Sequence, residues 1–188
     1  MRKKSKINHQ ALLGVYPNFP TIIHGEVSLS YNFSLIKLQQ IIIQGLYKLN
    51  GSSELCSLSM PNQLGTHDGK LGFEVGLANS LFFDFFSATQ KSLLTDKLNS
   101  GETFSLLDFI VIVTYHYLDE GKTKPLKFDY FLLRFLFSRG RFKLQTFHEK
   151  GSQRISAQEL IEHILAVINQ EAKQLGLNSF HVEYIRAV

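Results

Sequence analysis

Two runs in the middle of the chain decide its fold: Leu106–Leu118, LLDFIVIVTYHYL, and Leu126–Phe137, LKFDYFLLRFLF. Both are rich in β-branched and aromatic residues, which fit a pleated, half-buried surface. Asp119–Pro125 joins them, and Ser138-Arg139-Gly140-Arg141 then turns the chain into Phe142–Glu149. Two consecutive hairpins predict a three-stranded antiparallel meander over about residues 106–149.

A two-residue turn at Arg139-Gly140 sets Phe137 against Phe142, Phe135 against Leu144 and Arg134 against Gln145. Side chains alternate sides along a strand. Phe131, Leu133, Phe135, Phe137, Phe142 and Leu144 then share a dry face, while Tyr130, Arg134, Lys143, Gln145 and Glu149 share a mixed one. If the first hairpin is symmetric about Lys122, Asp108, Thr114 and His116 join the mixed face.

Outward from this centre, Val27, Leu29 and Tyr31 alternate with polar residues in a strand over Thr21–Tyr31. Ser34 caps a predicted helix over Leu35–Leu49, striped by Leu38, Ile41, Ile42 and Leu46 and stopped at Asn50-Gly51. Leu55–Met60 and Leu71–Leu77 read as strands around a loop at Gln63–Lys70. Phe82, Phe85 and Phe86, at i, i+3 and i+4, predict a second helix over about Leu81–Leu98. Ser156-Ala157-Gln158-Glu159 is a capping box that opens a last helix, striped by Ile161, Ile164, Leu165 and Ile168 and ending near Gly176. Phe180–Ile185 alternates as a final strand. Helices interspersed with hairpin-linked strands define an α+β class: an antiparallel sheet packed with about three helices. The expectation is one domain over 1–188 with a short basic tail over about residues 1–10, since no Pro, Gly or Ser-rich linker divides the chain.

Sixteen Phe and no Trp favour thick aromatic packing. Cys56 is the single cysteine, so an internal disulfide framework and a cysteine-based zinc site are excluded. Leu38–Tyr47 is far short of a membrane span, so no membrane partner is expected and the cytoplasm is the default location. The net charge of +4 hides a segment: residues 121–154 carry nine Lys or Arg against Asp129 and Glu149.

These features nominate binding residues rather than catalytic ones. On the mixed face, Arg134 is a candidate cationic anchor, His116 a titratable group and Tyr130 a stacking ring; the bland alternative pairs Arg134 with Asp108. Arg139, Arg141 and Lys143 at one hairpin tip, with Lys122 and Lys124 at the other end, bracket an extended anion or are simply two solvated tips. Gly65–Lys70 offers His67 beside Asp68 as an acid–base pair, though Asp-Gly-Lys also reads as a turn. His24 with Glu26, and Glu159 with His163, are half-sites without a third ligand, so no metal and no cofactor are expected. No phosphate loop, dinucleotide fingerprint or nucleophile elbow occurs. Phe82, Phe83, Phe85 and Phe86 cover more than one helical face, which suggests core packing or a partner anchor. The reading that follows is a non-catalytic binding or assembly module for a protein partner, a second copy, or a polyanion such as nucleic acid. The alternative is a small enzyme that holds an anionic substrate with Arg134 and uses His116 or His67 as its acid–base group.

Overall fold

The structure, a computed structural model, describes residues 13–59, 66–119 and 122–187. The basic tail and the whole 60–65 connection, with it the first part of the loop expected at Gln63–Lys70, lie outside the described residues. Among the described residues, eight strands and three helices follow in the order β1 (Gly25–Ser30), α1 (Leu35–Leu49), β2 (Ser53–Ser59), β3 (Thr66–Asn79), β4 (Phe82–Phe85), α2 (Ala88–Asn99), β5 (Leu106–Asp119), β6 (Lys122–Ser138), β7 (Arg141–Gly151), α3 (Ala157–Gln174) and β8 (His181–Ala187). All eight strands join one antiparallel sheet in the order β2-β3-β5-β6-β7-β1-β8, with β4 paired to the far half of β3. The α+β class is therefore established.

Alternation divides the sheet into two faces. Phe109, Val111, Val113 and Tyr115 of β5, with Phe131, Leu133 and Phe135 of β6 and Phe142 and Leu144 of β7, are fully buried on one of them. The helices cover that face. Helix α1 buries Leu38, Ile41, Ile42 and Leu46, and α3 buries Ile161, Ile164, Leu165 and Ile168, the stripes their sequence periodicity predicts. Ser34 accepts from Lys37 N at the start of α1, and α3 opens with the complete Ser156–Glu159 capping box. Where α1 crosses α3, a Cβ on Gly45 would lie 2.9 Å from Ile168 Cγ2, so the absent side chain lets the two helices approach.

The β6–β7 register sets Phe137 against Phe142, Phe135 against Leu144 and Arg134 against Gln145, as the Arg139-Gly140 turn requires. The β5–β6 register corrects the expected symmetry about Lys122. Asp108 pairs with Arg134 and Thr114 with Phe128, and an irregularity between Thr114 and His116 then sets His116 against Pro125. Over Asp108–Thr114 the slip is two residues, so both keep the face of Arg134. His116 is displaced by three in pairing, past the irregularity, but follows Thr114 by two along β5 and lines the same cleft.

Two other expectations are overturned. Phe82–Phe85 is strand β4, not helix; α2 begins at Ala88, with Ser87 as its cap accepting from Gln90 N. Pairing Phe82–Phe85 with Asn79–Gly76 satisfies backbone groups that β3 would otherwise leave open, and Phe86 turns inward against Phe109 and Tyr47. The Ser87-Ala88-Thr89-Gln90 spacing of a capping box already marked that boundary in the sequence. Likewise Thr66–Lys70 belongs to β3 rather than to a loop. Asp68 pairs with Ser57, and Gly69 pairs with both Cys56 and Tyr117, so ladders on two sides override the turn propensity of Asp-Gly. Strand β1 is also shorter than Thr21–Tyr31, because the residues before Gly25 serve another role.

Candidate functional site

Residues 13–24 form an arm over the outer face of the sheet, the one without helices. Gly14 N donates to Ala78 O (2.8 Å) and Gly14 O accepts from Asp108 N (2.8 Å), so the arm enters between the ends of β3 and β5. Farther on, Tyr16 packs against Phe83, Phe19 is buried, and His24 stacks on Phe147 with ring centroids 4.5 Å apart. The Tyr16-Pro17-Asn18-Phe19-Pro20 stretch suits this task, since each proline disfavours helix at the residue before it.

Arg134 is the clasp of the arm. Its guanidinium donates from Nε to Asp108 Oδ1 and from Nη2 to Asp108 Oδ2, both at 2.7 Å, and from Nη2 to the Tyr16 carbonyl at 3.0 Å. Tyr16 N donates to Asp108 Oδ2 (2.8 Å), and the Phe19 ring lies 4.2 Å from the guanidinium carbon. Asp108 is fully buried. Such a bidentate pair in a partly dry setting is an internal tie. Arg134 is thus placed on Asp108 and the arm, the bland alternative raised above.

The remaining nominated residues fall into separate places. His116 lines a cleft of about 280 Å³ with Lys70, Glu74, Thr114 and Thr123. It lies eight residues along β5 from Asp108, roughly 26 Å at 3.3 Å per residue, so Arg134 and His116 do not converge. The side chain of His67 lies outside the described residues. Tyr130 carries Lys150 Nζ 4.7 Å above its ring and meets Phe128 edge-on. Arg139 is exposed at the β6–β7 tip. Lys124, 5.5 Å above Tyr117, belongs to the other end of β6, roughly 50 Å away along a strand of 17 residues.

Arg141 and Lys143 meet β1 and β8. Arg141 Nε lies 2.9 Å from Glu183 Oε1, and Ser28 Oγ donates to Glu183 Oε2 (3.2 Å). Lys143 Nζ donates to Glu26 (3.2 Å), which also accepts from Gln145 and from the Tyr184 hydroxyl. Partial burial pushes the Glu26 carboxyl up, but these three donors together hold it below its ordinary value. Beside this network an open groove of about 520 Å³ runs between Leu136, Phe137 and Ser138 on one side and Glu183 and Tyr184 on the other. It ends at β8, the last strand of the sheet, whose Val182, Tyr184 and Ile185 are 41–42% exposed.

One polar centre escaped the sequence reading. Asp129 is fully buried among the core side chains and accepts four hydrogen bonds. Oδ1 takes His148 Nε2 (3.0 Å) and Gln153 N (2.6 Å); Oδ2 takes the Tyr115 hydroxyl (2.6 Å) and Arg154 N (3.0 Å). Burial pushes its carboxyl up, yet the four donors hold it below the ordinary value, and burial pushes the Tyr115 hydroxyl up. Two donors per oxygen saturate the carboxylate, so the centre ties the β6–β7 end to the turn before α3 rather than facing a ligand. Its signal was parity: Asp129 shares the dry face with Phe131, Leu133 and Phe135, where a charge needs built-in partners.

Among the described residues no three His, Cys, Asp or Glu side chains gather as metal ligands. His24 Nδ1 accepts from His148 N, Glu159 caps α3, and His163 stacks on Phe73 with centroids 4.5 Å apart. Cys56 is half-buried on edge strand β2, and burial, with Glu54 nearby, raises its thiol pKa. No described helix is long and apolar enough to cross a membrane. The fold and site define an α+β protein with a strapped eight-stranded sheet and an open groove at one edge. No protein-family model, curated protein or solved structure matches the chain.

Proposed function

We propose that the protein is a non-catalytic binding module that takes an extended segment of a protein partner at strand β8. The observation that carries this reading is that, among the described residues, no strand pairs with the outer side of β8, beside the groove of Phe137, Leu136 and Tyr184. An edge strand offers a row of backbone donors and acceptors, and an added strand gains affinity from that ladder while its side chains fill neighbouring pockets. The mixed wall of the groove supplies specificity: Arg141 and Lys143 face Glu183 and Glu26. Because both cations already have carboxylate partners, a protein segment of balanced charge suits the groove better than a polyanion. The separation of Arg134 from His116 favours binding over the acid–base reading.

Peptides selected from a display library against the intact protein provide the test. Val182→Lys and Ile185→Lys change exposed side chains and add the charges that blunt edge pairing. Selected peptides should lose at least tenfold in affinity for the double variant, and β8 amides should gain hydrogen-exchange protection when a peptide binds. Peptides that bind both proteins equally and leave β8 amides unprotected would remove this reading.

A further inference from the structure

Strand β1 fixes which way each side chain of β8 points, because directly paired residues share a face. Val182 pairs with Leu29 and Ile185 with Val27, and both partners are buried on the helix-covered face. His181 pairs with Ser30, Tyr184 with Ser28 and Arg186 with Glu26, all on the outer face. The register shifts between Ser28 and Leu29, which leaves Glu183 as the extra residue of a bulge. Glu183 also points outward, since its carboxylate accepts from Ser28 Oγ and meets Arg141. Glu183 and Tyr184 therefore stand side by side on one face and break the alternation.

The bulge gives β8 a pattern that reads the same in both directions: from His181 to Arg186 the side chains run outer, helix side, outer, outer, helix side, outer. A regular strand alternates with period two and loses phase at the bulge. An antiparallel copy of β8, related by a two-fold axis between Glu183 and Tyr184, keeps phase throughout. It sets Val182 of each copy opposite Ile185 of the other, Glu183 opposite Tyr184, and His181 opposite Arg186. Moving the axis by half a residue or by one residue either way sets at least one pair on opposite faces. In the matched register the half-exposed Val182 and Ile185 cover each other twice. Between His181 and Arg186 the strand carries one carboxylate and one guanidinium, the balanced charge that suits this edge. We propose, resting on the reading of β8 as a binding edge, that its partner is a second copy of this chain. The two β8 strands pair antiparallel about that axis, and the two sheets continue into one another.

A ladder this short offers far fewer than the about 20–30 residues a side of a stable interface, so association should be weak and concentration-dependent. Analytical ultracentrifugation of the full chain from about 1 µM to about 1 mM, the span of weak affinities, should show monomer turning into dimer. Over the same range β8 amides should gain hydrogen-exchange protection, while those of β2 at the opposite edge should not. Val182→Lys alone and Ile185→Glu alone should each weaken the dimer about tenfold, since each alters two cross-strand pairs. The double variant V182K/I185E sets opposite charges across the axis twice and should restore the dimer in a salt-sensitive form. Circular dichroism melts establish that each variant folds, and the exchange measurement uses the unaltered chain. A chain that stays monomeric throughout would overturn the proposal. If selected peptides still bind and protect β8, the binding reading of that edge survives; if they do not, both fall. A dimer that leaves β8 amides unprotected, that the single variants do not weaken, or that the double variant does not restore would place the contact elsewhere and overturn the proposal as well.

Discussion

Arg134 presents a planar fork of donors, and the protein meets that fork from within: two bonds to Asp108, one to Tyr16 and the Phe19 ring beneath. Removing one partner of a buried pair leaves the other charged and dry, which costs far more than the intact pair contributes. Asp108→Ala should therefore destabilise by about 3 kcal/mol and loosen the arm. The double variant Asp108→Leu with Arg134→Leu should lose clearly less than the sum of the single losses. Denaturant midpoints measure both, and additive losses would show that the two side chains act separately. The sequence already displayed the pairing partner, because Asp108 and Arg134 share a face in any register of the right parity. It did not display the arm, because Tyr16 and Phe19 reach Arg134 across more than a hundred residues of chain. Asp129 was legible only as an anomaly on a dry face; its four donors come from β5, β7 and the turn after β7.

Elements that carry their own signals came out where periodicity placed them. Helices α1 and α3 have caps and apolar stripes within their own residues, and β6–β7 has a two-residue turn that sets its register. Elements defined by a distant partner did not. Phe82–Phe85 became a strand because β3 runs past the end of β2 and lacks a neighbour there, a fact of the sheet rather than of those four residues. Between helices, the crossing of α1 and α3 depends on Gly45, whose added Cβ would lie 2.9 Å from Ile168 Cγ2 and 3.5 Å from Ile168 Cα. Alanine gains about 1 kcal/mol of helix propensity over glycine, while overpacking costs about 1–3 kcal/mol. Gly45→Ala should thus be destabilising on balance, and it should be nearly neutral or favourable when Ile168→Ala is already present. A double-mutant cycle on thermal unfolding checks this coupling, and a stabilising Gly45→Ala in the wild-type background would contradict the crossing geometry.

Across the whole molecule, the buried and networked carboxylates determine the response to acid. Asp129 and Glu26 are both held below their ordinary pKa. The unfolded chain then takes up protons before the folded one, so their contribution is complete above the unfolded carboxylate pKa and is lost as pH falls through the folded values. The melting temperature should stay level from pH 7 to about 5 and drop steeply below about 4. Asp129→Asn should be less stable at pH 7 and show a shallower acid slope; an unchanged slope would separate Asp129 from the acid response. At this scale too, composition without a disulfide framework, aromatic strand runs and two well-marked helices were enough to determine an α+β chain with an antiparallel sheet. Those properties follow from patterns a few residues long, which the chain carries wherever its ends lie. Only the tertiary structure decided which face of the sheet is strapped by the arm, which cations are already paired, and which apolar side chains stand in water. Each of these depends on residues brought together from distant parts of the sequence, where no local period or propensity records the encounter.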